Sequence, residues 1–135
     1  MKQEAVNLVQ ESWKKVEAIA PQAAALFYHN LFSADPSLKA LFKGDMETQG
    51  QKLMEMIGVA VGKLNELHEL VPVLQNLAKR HVRYGVTESH YATVGAALLQ
   101  TLNQGLGEDF TPAVRDAWAG VYSVMADVMI TATKS

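Results

Sequence analysis

His81, Gln49 and Tyr28 are of types that do chemistry, and each shares a helix face with apolar residues. His81 follows Leu74, Leu77 and Ala78 at helical spacing, so its imidazole points with the apolar stripe of its segment. An inward imidazole is either a hydrogen-bonded core group or a metal ligand, and the residues alone leave both readings open. Gln49 stands one turn before Leu53, which leads the apolar stripe of a long middle segment, so its amide also looks inward. Tyr28 follows Phe27 and precedes Leu31 by one turn, which sets a phenol on or beside an apolar face where its hydroxyl needs a partner. Phe42 closes a short segment ahead of a polar, glycine-bearing corner at 43–47, and alone reads as an ordinary core aromatic. His68 and His29 read as solvated, and His90 opens a helix.

Other chemistries fail on spacing. Gly44, Gly50 and Lys52 do not make a phosphate-binding loop, and no H-E-x-x-H, G-x-S-x-G or EF-hand pattern occurs. Glu-x-x-His pairs in the order a two-metal carboxylate bundle needs are also missing. The sequence has no cysteine, which excludes disulfides, thiolate-ligated zinc, iron–sulfur clusters, thiol catalysis and covalent haem attachment. A net charge of −2 gives no positive field for a phosphate backbone, so no nucleic-acid partner is expected.

These side chains need elements to hold them. With 135 residues, 49% of them apolar and 19% charged, the chain has the size and composition of one folded domain rather than a disordered tail. Apolar residues recur with helical period, as in Val6, Val9, Trp13 and Val16, or Val114, Trp118, Val121 and Met125, and nothing alternates long enough for a strand. Pro21, Pro36, Pro72 and Pro112 each sit where a helix could begin, with Asp35, Thr111 and Thr87 as natural N-caps and Gly85 as a helix exit. The pattern predicts helices at about 3–19, 21–33, 35–42, 47–66, 70–84, 87–104 and 111–133, with a second loop at 104–110. The longest uncharged run, 89–107, carries a histidine, amides and glycines, a buried helix rather than a membrane span. The N-terminus has no signal-peptide pattern, so a cytoplasmic location is the expectation.

Taken together, FYHNLFSADPSLKALF at 27–42, QGQKLM at 49–54, LAKRHVRYGVTESHYATVGAALL at 77–99 and DAWAGVYSVMADVMI at 116–130 resemble the globins. The likeness is to the bacterial single-domain haemoglobins related to the haem domain of flavohaemoglobins. It spans essentially the whole chain and preserves the separation between Gln49 and His81. It implies a single all-α globin domain over 1–135, a three-over-three helical sandwich around a pocket for non-covalent haem b and its iron.

By that resemblance His81 corresponds to the proximal iron ligand, Phe42 to the aromatic that packs flat on the porphyrin, and Pro36 to the proline starting the third helix. Tyr28 and Gln49 correspond to the distal polar pair, and Leu53 to the apolar residue crowding the gas. Tyr91 corresponds to a tyrosine that reaches the free N–H of the proximal histidine, while Leu77, Val86, Val94, Leu98 and Met125 complete the wall. One of Lys79, Arg80 and Arg83 is a candidate partner for a propionate. The implied function is reversible binding of oxygen, with nitric oxide and carbon monoxide as further ligands. Phenol and amide donors favour oxygen because it draws negative charge when bound. The alternative is nitric oxide dioxygenation, which needs an external reductase because no reductase domain fits in these 135 residues. A haemless or sensory globin acting through partner contacts is the remaining reading. One departure stands out: Thr133 occupies the place of a glutamate in flavohaemoglobin-like domains, which removes a charge that would make the imidazole more electron-donating.

Overall fold

Helix-forming segments broken by proline and glycine fold as the periodicity predicts. The computed structural model describes residues 2–42 and 44–133, and among them every regular element is helical. Six α-helices run α1 Gln3–Glu17, α2 Ala20–Ala34, α3 Met46–Gly62, α4 Leu67–Arg83, α5 Glu88–Leu106 and α6 Pro112–Thr133. Two short 3-10 helices, Pro36–Leu41 and Gly107–Asp109, connect them.

The caps act as their residue types dictate. Asp35 accepts from the Ser37 amide, Asp45 from those of Glu47 and Thr48, and Thr111 Oγ1 from the Val114 amide, each satisfying an N–H that its helix leaves over. Gly85, at φ +94°, ends α4, and the Val86 amide donates back to the carbonyl of His81 at 3.0 Å. Lys43 of the predicted corner lies outside the described residues.

Several boundaries differ from the sequence reading, each for a local reason. Segment 35–42 is a 3-10 helix, since six residues between an Asp cap and the corner close tighter i to i+3 bonds sooner than a full α-turn. The helix predicted over 47–66 stops at Gly62, and Leu64, which extends its apolar stripe, is buried from a turn. Pro72 does not begin a helix. It lies inside α4, where it removes only the bond to the carbonyl of His68, and both residues are exposed to water. The predicted loop at 104–110 holds the end of α5 and the second 3-10 helix.

α1 packs on α3 and α6, α4 on α6, and α2 on α3 and α5. α2 crosses α3 closely at Gly50, where a Cβ would lie 3.0 Å from Ala24 Cβ and 3.7 Å from Tyr28 Cε2. α3 and α4 are consecutive, yet α3 packs chiefly on α1 and α2 and α4 chiefly on α6. Buried polar bonds lock helix to helix. Asn30 Nδ2 donates to Thr101 Oγ1 and Gln104 Oε1, tying α2 to α5, and Trp118 Nε1 donates to Ser12 Oγ at 2.8 Å, tying α6 to α1.

Ser12→Ala should destabilise the fold by about 1–3 kcal/mol, because it strands the fully buried Trp118 N–H. Urea unfolding checks this, and a loss within experimental error would show that the indole finds another acceptor.

Candidate functional site

His81 lies in the last turn of α4, with Leu74 and Ala78 of the same helix buried. Its Nδ1 is 2.8 Å from the carbonyl oxygen of Leu77. A carbonyl only accepts, so Nδ1 carries the hydrogen and Nε2 keeps its lone pair. Burial pushes the imidazole pKa below its usual value and the nearby Arg80 guanidinium adds to this, with the Leu77 bond opposing. The side chain is therefore held neutral, in the tautomer a metal ligand requires.

Here the structure departs from the sequence reading. The histidine N–H expected to meet Tyr91 is taken by the Leu77 carbonyl one turn back on the same helix. Tyr91 is half-buried on α5, and its own carbonyl accepts from Tyr122 Oη at 2.6 Å. Thr133 Oγ1 donates to the Ile130 carbonyl within its own helix. His90, read as the start of a helix, spends Nδ1 on the Thr87 amide at 3.0 Å, so that nitrogen is a cap.

The α2–α3 crossing holds the phenol. The Tyr28 ring stacks on Phe32 at 5.8 Å and meets Phe27 and Phe42 edge-on at 5.5 and 5.3 Å. Gly50 also meets the ring, its Cβ position 3.7 Å from Tyr28 Cε2, and Gln49 precedes it in the first turn of α3. The Gln49 side chain is half-buried, and its Nε2 lies 3.9 Å from where a Cβ on Gly44 would stand, so the amide folds back toward the corner. Desolvation pushes the Tyr28 phenol up to about 12, which keeps it a protonated donor at neutral pH.

The apolar candidates frame this space unevenly. Phe42 packs edge-on against both Tyr28 and Phe32, and the preceding Leu41 has its Cδ2 3.2 Å from a Cβ position on Gly85, tying the corner to the end of α4. Leu53 and Leu98 line one inner cavity together with Phe27 and Ile57. Leu77, Val94 and Met125 are half-buried against the core, and Val86 is half-buried at the helix exit. Sequence reading missed Leu41, Phe32 and Ile57. Only Ile57 left a signal there, one turn beyond Leu53; the others depend on how the corner folds.

The donor set suits a haem. Among the described residues no three metal-ligating side chains come together, so a metal at His81 must bring most of its ligands with it. His81 offers one neutral nitrogen from the last turn of α4, and Phe42, Leu53 and Leu77 offer half-buried apolar surface.

Comparison with known proteins agrees. The globin family profile matches residues 25–129. The chain is 29% identical over 131 residues to a flavohemoprotein of Vibrio cholerae serotype O1, covering 95% of this chain and 33% of that protein. A flavohemoprotein of Bordetella parapertussis is 33% identical over 107 residues, covering 77% of this chain and 27% of the relative. Neuroglobin of Danio rerio is 31% identical over 137 residues, covering 91% of this chain and 86% of the relative. The chain thus spans a third or less of the flavohemoproteins and most of the neuroglobin.

His81→Gly should abolish stable haem uptake, measured by haemin titration, and added imidazole should restore it; uptake unchanged in the variant would place the ligand elsewhere. Because the imidazole pKa lies below 6.5, wild-type haem retention should hold as the pH falls through 6.5 and fail only beneath it. Retention that begins to fall above 6.5 would show a solvated histidine.

Proposed function

The chain belongs to the globin family, and from that premise we propose that it is a haem protein that reversibly binds oxygen, with His81 as the only protein ligand of the iron. The observation that carries this reading is the Nδ1–H donated to Leu77, which leaves the Nε2 lone pair for a metal. Haem, when bound, supplies an iron at which diatomic gases coordinate.

The protein's own groups set selectivity. Phe42, Leu53, Leu77, Val86, Val94, Leu98 and Met125 form the apolar wall, which keeps water from the reacting face. Tyr91 belongs to the same wall, on the proximal side. Tyr28 holds its proton at neutral pH and offers an O–H; Gln49, on the neighbouring helix start, would add an amide N–H by turning from the corner. A donor aimed at an atom that gains negative charge stabilises it by roughly 1–3 kcal/mol, more than it does for carbon monoxide, which gains little. The pair therefore favours oxygen and slows its release. The phenol is fixed by rings on three sides, so little reorganisation is needed to present it.

The likeness to flavohemoproteins favours a second reading of the same residues, nitric oxide dioxygenation giving nitrate, with electrons from an external reductase. Nitric oxide consumption with reductant present separates the two: sustained turnover supports the enzyme, and a single turnover that stalls supports the carrier.

Tyr28→Phe should raise the oxygen dissociation rate by about tenfold or more, as loss of one charge-assisted bond implies, with carbon monoxide release changed far less. Stopped-flow mixing reads both rates. An unchanged oxygen rate would assign the main donor to Gln49 or water.

A further inference from the structure

Two tryptophans lie side by side in the core, ring centroids 6.1 Å apart, and only one is tethered. Trp118 is held by Ser12. Trp13 is 4% exposed, and its buried Nε1 has no acceptor among the described residues. A buried indole N–H is ordinarily paired, so this orphan calls for a reason.

The untethered ring is also a partition. Its outer side lines an open groove between α1 and α3, of about 360 Å³, together with Gln10, Lys14, Gly58 and Val61. Its inner side lines an apolar cavity with Phe27, Leu53, Ile57 and Leu98. That cavity has about 10 Å³ of free space at rest, so a gas atom enters only as the indole and its neighbours yield, and Thr101 is its one polar wall residue. Gly58 stands across from the ring on α3: a Cβ there would lie 3.5 Å from Trp13 Nε1 and 3.6 Å from Glu17 Oε2. Any longer side chain at 58 would fill the groove against the indole.

We propose that Trp13 is a gate through which an apolar gas passes from the α1–α3 groove into the cavity beside Leu53. The proposal rests on the reading of Leu53 as a wall of the gas site. Swinging the indole outward breaks no hydrogen bond. It carries the orphan N–H toward the groove, where water and the polar side chains can accept it. The N–H without a partner in the closed state gains one in the open state, which offsets part of the cost of exposing the ring. The apolar lining inside admits a small uncharged gas and gives water nothing to bond.

Xenon, an apolar probe, reports the path without any haem. In xenon-pressurised crystals it should occupy the space between Trp13 and Leu53. By xenon NMR, Trp13→Phe should speed its exchange and Gly58→Leu should slow it, each by roughly threefold or more. In haem-loaded protein, carbon monoxide rebinding after a light flash should move in the same directions. Xenon absent from that cavity overturns the gate, as do rates unchanged in both variants while Gln49→Ala alters them, which would put the inlet beside Gln49. If Gly58→Leu fails to fold, Trp13→Phe decides. If the wild-type protein takes up no haem, the proposed function falls, and xenon exchange still decides the gate.

Discussion

The 2.8 Å bond from His81 Nδ1 to the Leu77 carbonyl determines what that imidazole can do. It spends the ring's one hydrogen within α4 and turns the opposite nitrogen into a lone pair with no proton to shed. The rest of the architecture keeps that arrangement in register. Leu74 and Ala78 bury the stripe of α4 that His81 continues, Gly85 turns the chain at the helix exit, and the Val86 amide returns to the His81 carbonyl. Pro72 can sit inside α4 because the carbonyl it orphans belongs to an exposed residue.

At the α2–α3 crossing a different constraint applies. Tyr28 is buried by three aromatic rings and by a helix that approaches closely because residue 50 is glycine. The same burial that raises the phenol pKa orients its hydroxyl, so packing and electrostatics both follow from the α2–α3 crossing. The neutral nitrogen stands on α4, packed on α6, and the protonated phenol on α2, packed on α3 and α5.

Much of this was legible in the residues, and the failures are instructive. Asp35 before Pro36 and Thr111 before Pro112 announce helix starts because cap and proline act locally. The inward direction of His81 follows from its spacing to Leu74 and Ala78, and that of Tyr28 from its place beside Phe27. Partners chosen through space left no such mark. Leu77, not Tyr91, takes the histidine hydrogen because a carbonyl one turn back is always within reach of a helical side chain, whereas a phenol on α5 must be brought there by packing. The Ser12 bond to Trp118 and the stranded Trp13 N–H are equally invisible, since identical residue types meet opposite fates a few ångströms apart. Family likeness supplied the cofactor, which spacing alone does not name.

The most direct measurement is the visible absorption spectrum of the purified wild-type protein as isolated, after dithionite and after return to air, repeated with added haemin. A haem held by His81 predicts a Soret band that shifts on reduction and shifts again, stably, with oxygen. No Soret band, even with haemin in excess, would make His81 and Phe42 core residues of a haemless bundle and contradict the account.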